Sequence, residues 1–428
     1  MLAFIPPTVL SPLISLLIFI VGHGLLSTLL TLRLNAEGVA AGWIGLVSSA
    51  YFAGLVIGAF VNVRLIRRIG HIRAYAAYAS LLAVLALCHG LLVDPAIWSG
   101  LRLLGGFATG GLFVVIESWM LVSSSPATRG RLLAVYMILL YGGLAAGQWL
   151  LRYIDPLQLS PFALAAISAS LSVLPLALTR VPLPQTESGR NISLLALVRL
   201  TPSAVGSCFA SGLILGGVYG LLPLYFAANG RALPAVANLM ALVILGGMLL
   251  QYPLGRLSDR VDRRRILAAL GIGLLLLSLL MLLASQLPWS TLRATTIFLF
   301  GGLAFSLYPI SLSQACDELT PEQMVSANQG MLLAYSLGSM TGPLLASQAM
   351  QYTSAAALFV YFAVCGGALA LFLFWRQKQR QPVPTDSQQG YLPMAPNTPL
   401  AGELDPRTPD SDTVTAAQED DAEAAGTH

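Results

Sequence analysis

Three ionisable side chains lie far inside long apolar stretches of this sequence: His23, Arg102 and Glu117. A charge at bilayer depth costs at least about 2.5 to 3.5 kcal/mol on insertion scales, so each of these residues needs something that offsets its cost. The imidazole of His23 and the carboxyl of Glu117 could bind and release a proton near neutral pH, as proton coupling requires. These residue types predict a polar pathway inside an apolar protein.

Each of the three residues also has a structural interpretation. His23 stands between Gly22 and Gly24, and a single histidine inside a helix is often only hydrogen-bonded. Arg102 could be the structural partner of another polar group. Glu117 could pair with Arg68 or Arg73 as part of a gate instead of carrying a proton.

The composition indicates a membrane protein. Of the 428 residues, 56% are hydrophobic and 10% are charged, whereas charged residues make up about 25% of ordinary soluble proteins. The basic residues fall in short loops between apolar runs, which is not the pattern of a nucleic-acid-binding protein. The four cysteines lie inside apolar runs, so neither a disulfide framework nor a metal site is predicted. No cofactor is expected.

Twelve apolar stretches are long enough to cross a hydrocarbon core of about 30 Å as helices. They are too long and too continuous for the strands of a barrel. The predicted spans are approximately 9–32, 43–63, 74–93, 96–122, 131–154, 160–179, 203–227, 233–255, 265–286, 290–315, 325–349 and 354–375.

Arginine is concentrated in alternate loops. The first set of loops, together with the segment after the last span, contains most of the arginines, and the second set contains only Arg33, Arg152, Arg231 and Arg293. Cytoplasmic loops of membrane proteins are enriched in Arg and Lys, so both termini are predicted to be cytoplasmic.

The two halves of the chain repeat each other. The charged loop after the second span, around Arg67, has a counterpart around Asp259, and the pair Gly143 and Gly147 aligns with Gly338 and Gly342. Such a repeat predicts two six-helix bundles with a site between them. The predicted boundaries are 1–180 for the first bundle, 181–202 for a cytoplasmic linker, 203–376 for the second bundle and 377–428 for a disordered, acidic, Pro-rich tail.

Several motifs resemble those of a known family. The loop Gly255-Arg-Leu-Ser-Asp259-Arg260-Val-Asp262-Arg263-Arg264-Arg265 between two spans is similar to that of the major facilitator superfamily. Val115-Ile-Glu117-Ser118, Gly220-Leu-Leu-Pro-Leu-Tyr225, Tyr308-Pro309 and Gly338-Ser-Met-Thr-Gly342-Pro343 resemble its YcaD-type branch. The resemblance implies an all-α membrane protein of twelve transmembrane helices in two pseudo-symmetric bundles, and secondary transport.

The resemblance also implies which residues face the cavity. In this superfamily the first, fourth, seventh and tenth helices line it, which makes His23, Arg102, Tyr219 and Tyr308 candidates, with Gln148 and Gln251 as weaker ones. Arg102, Gly106 and Gly110 match an R-x-x-x-G-x-x-x-G pattern of the fourth helix. The glycines Gly106, Gly110, Gly143, Gly147, Gly338 and Gly342 are expected to let helices pack closely, or simply to be small residues of a membrane protein.

The loop charges predict a cytoplasmic gate. Pseudo-symmetry places Asp259 near Arg129 and Arg131 at the start of the fifth helix. In the first half Arg67 stands where the superfamily has an acid, and its expected neighbours are Asp317, Glu318 and Glu322, so a pair of reversed polarity is predicted there. The full set of predicted gate residues is Arg67, Arg68, Arg73, Asp259, Arg260, Arg263, Asp317 and Glu322.

The sequence therefore predicts a secondary transporter of a small solute that works by alternating access with proton coupling, and not an enzyme. It predicts a monomer in a bacterial inner membrane whose partners are a small solute, protons and the lipid bilayer. Two alternatives remain open: a membrane sensor or scaffold that keeps the fold and uses its tail to contact a partner, and a facilitative uniporter.

Overall fold

The computed structural model describes residues 7–124, 126–179, 194–285, 290–319, 321–379, 383–384 and 387–395. Every long element in this part of the chain is an α-helix, as predicted. The helices of the first half are α1 (Pro7–Ala36), α2 (Ala41–Ile69), α3 (His71–Leu91), α4 (Pro95–Val122), α5 (Pro126–Leu150), α6 (Ser160–Leu171) and α7 (Val173–Ala177).

A short helix α8 (Leu194–Leu200) precedes the second half. The helices that follow are α9 (Pro202–Ala228), α10 (Leu233–Ser258), α11 (Arg263–Ser285), α12 (Ser290–Glu318), α13 (Pro321–Tyr352) and α14 (Ala357–Gln377). Counting α6 and α7 as one span, eleven helical segments among the described residues are long and apolar enough to cross a membrane. The 32-residue α13 completes the predicted twelve, although its polar and small residues make it less apolar than the others.

Local signals in the sequence explain several helix ends. Gly70 has a φ of 87°, which side-chain-bearing residues rarely adopt, and it separates α2 from α3. Gly38 and Gly230, with φ of 74° and 70°, form the corresponding turns after α1 and α9. Asp94 caps α4, because its carboxylate accepts hydrogen bonds of 2.9 Å from the backbone N–H groups of Ala96 and Ile97.

The helices pair in the same order in both halves. In the first half α1 packs on α5, α2 on α4, and α3 on α6, and in the second half α9 packs on α13, α10 on α12, and α11 on α14. The halves meet through α2 with α13, α5 with α10, and α1 with α9. This arrangement gives two pseudo-symmetric bundles of six spans with an interface between them.

Glycines allow the closest of these contacts. A Cβ atom at Gly147 in α5 would overlap the carbonyl oxygen of Val21 in α1, and one at Gly342 in α13 would overlap that of Leu213 in α9. Gly143 and Gly338 occupy the same two interfaces. The glycines that are repeated in the sequence therefore serve equivalent helix pairs in the two bundles.

The two ends of the molecule differ. We define the basic face as the end that carries the exposed Arg64, Arg67, Arg68 and Arg73 of the first bundle and Arg260 and Arg265 of the second. At the opposite face the bundles touch directly. Thr31 donates a 2.9 Å hydrogen bond to the carbonyl oxygen of Gly220, and the amide of Gly42 donates one of 3.0 Å to Gln351.

Part of the segment predicted to be a disordered tail packs against the rest of the protein; we call its residues 387–395 the C-terminal strap. Tyr391, Met394 and Ala395 are 8%, 1% and 3% exposed and belong to the main hydrophobic core. The sequence pattern indicated a disordered segment because most of the tail is polar. The three buried side chains are among its few apolar residues, and they pack against the hydrophobic core. The acidic end of the tail lies outside the described residues.

Two neighbouring glycines in α4 provide a test of the packing. A Cβ at Gly106 would overlap the backbone carbonyl of Tyr51 in α2, whereas one at Gly105 would meet no atom within 4 Å. We expect Gly106→Ala to lower the melting temperature of the purified protein, because α2 and α4 must separate. We expect Gly105→Ala to be neutral or to stabilise by up to about 1 kcal/mol through helix propensity. Equal melting temperatures for the two variants would contradict the close contact of α2 and α4.

Candidate functional site

A central cavity lies between the two bundles. Its walls come mainly from α1, α2, α4 and α5 of the first bundle and from α9 of the second, and the C-terminal strap adds Ala395. The free space is about 50 Å³, room for a few water molecules. A space of this size at the interface of the two repeats is too small for a solute much larger than a few water molecules.

The cavity wall holds a cation on an aromatic ring. The guanidinium of Arg102 in α4 lies 4.1 Å from the centre of the Tyr51 ring in α2. The Tyr51 hydroxyl is in turn 3.3 Å from Nε2 of His23 in α1. Stacking on an aromatic face stabilises a guanidinium by about 0.5 to 2 kcal/mol, which offsets part of the cost of placing a charge at this depth.

The remaining lining is aromatic, aliphatic and hydroxylic. The rings of Tyr141 and Tyr219 both contact Phe305, with ring centres 5.5 and 5.9 Å apart, and so connect α5 to the second bundle. Ser27, Thr31 and Ser48 supply hydroxyl groups. No carboxylate belongs to the described lining, so Arg102 carries the only formal charge of fixed sign on this wall.

The structure places three of the predicted pathway residues, His23, Arg102 and Tyr219, on the cavity wall. Tyr308 is absent from the described lining and packs with its ring centre 5.4 Å from that of Tyr335. It therefore belongs to the core of the second bundle, because residues on one face of α12 must fill the interface with α13.

The two glutamines do not line the cavity either. The side-chain amide of Gln148 in α5 donates to the carbonyl oxygen of Gly24 in α1 at 2.8 Å, and it is fully buried. That of Gln251 in α10 donates to the carbonyl oxygen of Met394 at 2.9 Å. Both amides satisfy backbone carbonyls in an apolar interior, which explains their position at helix interfaces.

Glu117 is fully buried but lies away from the cavity. Its carboxylate accepts a 2.8 Å hydrogen bond from the Tyr136 hydroxyl of α5. The arginines proposed as its gate partners, Arg68 and Arg73, are exposed on the basic face. Glu117 therefore joins α4 to α5 inside the first bundle.

A compact charge cluster lies in the second bundle at the basic face. Arg263 at the start of α11 is fully buried, with its Nε 2.6 Å from Oδ2 of Asp317 and its Nη2 3.2 Å from Oδ1 of Asp259. Arg264 pairs separately with Asp262 at 3.1 Å. Two carboxylates on one buried guanidinium join the α10–α11 loop to the end of α12.

This cluster changes two of the predicted gate pairs. Asp259 has Arg263 and the Tyr391 amide as its described partners, instead of the start of α5. Asp317 pairs with Arg263, and Arg67 is exposed without an ion pair to any described carboxylate. The pseudo-symmetry argument did not predict these pairs. The α10–α11 loop is short and places Asp259 beside Arg263, only four residues further along the chain. The side chain of Glu322 lies outside the described residues.

The sequence alone did not identify Tyr51, Tyr141 or Phe113 as cavity residues. The helical periodicity of α2 and α4 could have indicated Tyr51. It lies on the face of α2 that packs against Gly106, one turn of α4 from Arg102. Among the described residues no group of three or more His, Cys, Asp or Glu side chains is arranged to hold a metal ion.

A family model described as Major Facilitator Superfamily matches residues 12–333. An uncharacterised MFS-type transporter, YcaD of Escherichia fergusonii, is 33% identical over 352 residues, which cover 81% of this chain and 90% of the relative. The YcaD protein of Salmonella newport is 34% identical over 357 residues, covering 82% and 91%.

Solved structures of transporters share the fold. The crystal structure of the nucleoside transporter NupG is similar with a TM-score of 0.73 at 15% identity, covering 87% of this chain and 98% of that one. A bacterial homologue of the human lysosomal transporter Spinster, in an inward-facing and unoccupied conformation, gives 0.66 at 14% identity, covering 94% and 98%. At these identities the likeness concerns the fold.

The Arg263 cluster can be tested by charge exchange. Removing one partner of a buried pair typically costs about 3 to 5 kcal/mol, so we expect Asp317→Asn and Arg263→Gln each to lower the melting temperature strongly. Arg67→Glu, on the exposed surface, should change stability by less than about 0.5 kcal/mol.

The reciprocal exchange Arg263→Asp with Asp317→Arg should recover part of the loss of Arg263→Asp alone. If Arg67→Glu destabilises as much as Asp317→Asn, and Arg67→Glu with Asp317→Arg recovers the loss, then Arg67 is the partner of Asp317 and the assignment to Arg263 fails.

Proposed function

Because the chain belongs to the major facilitator superfamily of membrane transporters, we propose that it is a secondary transporter of a small anionic solute and not an enzyme. The solute binds in the central cavity, in contact with Arg102, and crosses the membrane as the two bundles rock about it. Movement of protons supplies the driving force. No cofactor takes part.

The observation that carries this proposal is the guanidinium of Arg102 on the cavity wall. It stacks on Tyr51 at 4.1 Å, and the described lining contains no carboxylate to balance it. Guanidinium groups bind carboxylates and phosphates through pairs of charge-assisted hydrogen bonds, each stronger than a neutral one. The aliphatic and aromatic lining around it suits the apolar part of an amphipathic anion.

The contacts between the bundles support alternating access. Hydrogen bonds from Thr31 and Gly42 join the bundles at the opposite face, whereas the basic face carries exposed arginines and the C-terminal strap. Hydrogen bonds of this kind can break when the bundles rock, and new contacts can form on the other side of the cavity. Opening at the basic face would also enlarge the present space of about 50 Å³.

The charge of the solute can be tested with paired arginine variants in proteoliposomes. We expect Arg102→Gln to reduce uptake of the anionic members of a solute panel by about tenfold or more, since hydrogen bonds to a charged group contribute about 1.5 to 3 kcal/mol. Arg152 stacks on Trp149 and Tyr153 in the same way but is not a cavity residue, so Arg152→Gln should leave uptake unchanged.

Arg102→Lys should retain part of the uptake, because it keeps the charge and loses the planar fork. Uptake confined to neutral or cationic solutes, or equal loss in both glutamine variants, would refute the proposed solute class.

Two residues are candidates for proton coupling, and their positions differ. His23 lies on the cavity wall 3.3 Å from the Tyr51 hydroxyl, in the same contact chain as Arg102. Glu117 lies outside the cavity and is bound by Tyr136. A proton on His23 and a solute on Arg102 would therefore influence each other directly, whereas Glu117 would act through the packing of α4 against α5. We propose His23 as the coupling residue.

With an internal pH dye, solute addition to wild-type proteoliposomes should cause proton movement. We expect His23→Gln to abolish this proton signal while solute exchange at equal pH continues, and Glu117→Gln to retain coupling at a lowered rate. Loss of coupling in Glu117→Gln alone would assign the proton to Glu117. Solute flux in the wild type without dependence on a proton gradient would identify a uniporter.

We further propose that the protein is a monomer in a bacterial inner membrane with the basic face and both termini in the cytoplasm. The support is the concentration of exposed arginine at the basic face, together with the positive-inside rule. In this orientation the C-terminal strap is cytoplasmic, and the bundles are in contact at the periplasmic side.

A further inference from the structure

The C-terminal strap follows an extended path through a cleft at the basic face. Within the strap Tyr391, Met394 and Ala395 are almost fully buried, and Leu392 packs against the same core. After the turn in which the Ser387 amide donates to the carbonyl oxygen of Pro384, the strap has no regular secondary structure, so its backbone polar groups need partners on the walls of the cleft.

Side chains on the walls of the cleft provide such partners one after another along the strap. The amide of Gln389 donates to Oδ1 of Asp317 at 2.9 Å, and that of Tyr391 donates to Oδ1 of Asp259 at 2.9 Å. The carbonyl oxygen of Gln389 accepts from the guanidinium of Arg263, and that of Met394 accepts from Gln251 at 2.9 Å. Four backbone groups of the strap are therefore bound by four side chains of α10, its following loop, α11 and α12.

The wall also has a shape that fits one side chain of the strap. Gly255 in α10 is buried, and a Cβ atom at this position would overlap the ring of Tyr391. Burial raises the pKa of the Tyr391 phenol well above its ordinary value, so the ring enters the cleft as a neutral group at any physiological pH. The glycine is thus the floor of a pocket for an aromatic ring.

The far end of the strap reaches the central cavity. Ala395 is part of the cavity lining, together with residues of the first bundle such as Tyr141 and Leu140. The strap is held by the second bundle and ends against the first. It therefore lies between the central cavity and the charge cluster at the basic face.

We propose that the cleft formed by Gln251, Gly255, Asp259, Arg263 and Asp317 is a binding site for an extended peptide segment, and that its occupant is the C-terminal strap of the same chain. In the bound state the strap closes the basic-face side of the central cavity and holds the transporter in a resting state. Release of the strap opens this side.

The strength of binding fits a reversible closure. Recognition uses backbone amides and carbonyls with one aromatic anchor, and only the nine residues 378–386 separate the strap from α14. A short tether gives the strap an effective concentration in the millimolar range, so even a weak site stays occupied. A partner that binds the tail would remove the strap without any change in the cleft.

Two truncations test the proposal without relying on transport. A chain ending at residue 386 lacks the strap, and one ending at residue 400 keeps it while losing the acidic end. Ser27→Cys is introduced into both as a probe of the cavity wall, and labelling by a water-soluble maleimide is measured by mass spectrometry. The buried Cys208 and Cys316 in the same molecules report on unfolding.

We expect Ser27→Cys in the chain ending at 386 to react at least tenfold faster than in the chain ending at 400, with Cys208 and Cys316 unreactive in both. Addition of a synthetic peptide of the sequence Ser-Gln-Gln-Gly-Tyr-Leu-Pro-Met-Ala to the shorter chain should slow the reaction again. Equal labelling rates in the two chains would overturn the proposal, whether or not any solute is transported.

A pair of substitutions in the full chain separates the strap from the rest of the tail. Tyr391→Ala empties the pocket at Gly255 and should raise the labelling rate of Ser27→Cys toward that of the shorter chain. Ser387→Ala is the control, because Ser387 is exposed and bonds only to Pro384 within the described residues. Rates unchanged by Tyr391→Ala would contradict the role of the pocket.

Where a transported solute is known, the chain ending at 386 should also transport it faster than the chain ending at 400. The inference rests on the proposed function only for this last measurement. Faster labelling of the shorter chain without any transport would support closure by the strap and reject the transport proposal. Transport with identical labelling rates in the two chains would support the transport proposal and reject closure by the strap.

Discussion

Close backbone contact between helices is the constraint on which the structure depends. Lipid tails are as apolar as leucine, so helices in a membrane associate through packing rather than through exclusion of water. Here α1 approaches α5 at Gly147, and α9 approaches α13 at Gly342, so closely that a Cβ atom would strike a carbonyl oxygen. Because glycines allow the equivalent helix pairs to pack closely in both halves, the two bundles have the same arrangement. The central cavity lies at the interface between them.

Arg102 and Arg263 show two ways of placing a cation inside a membrane protein. Arg263 is surrounded by Asp259 and Asp317 and serves as a fixed joint at the basic face. Arg102 is stacked on Tyr51 and faces open space. Two carboxylates therefore balance the charge of Arg263, whereas the described cavity lining around Arg102 contains no carboxylate.

The joint at Arg263 also links the fold to the strap. Asp317 accepts from the guanidinium at Oδ2 and from the Gln389 amide at Oδ1, and Asp259 accepts from both the guanidinium and the Tyr391 amide at Oδ1. Carboxylates can accept several hydrogen bonds, so a cluster that holds α10, α11 and α12 together can at the same time hold an extended segment. The loop motif of the second bundle thereby contacts the strap, whereas its counterpart in the first bundle carries the exposed Arg67.

The sequence by itself determined the membrane environment, the helical spans, the repeat and the position of His23 and Arg102 inside the protein, because length, apolarity and glycine spacing act locally along each helix. Only the tertiary structure decided which partners meet. Asp317 binds Arg263 instead of Arg67, Gln148 and Gln251 satisfy carbonyls instead of lining the cavity, and part of a polar tail is buried. These outcomes depend on helix rotation and on distances between elements far apart in the chain, which residue types and spacing along one helix do not specify.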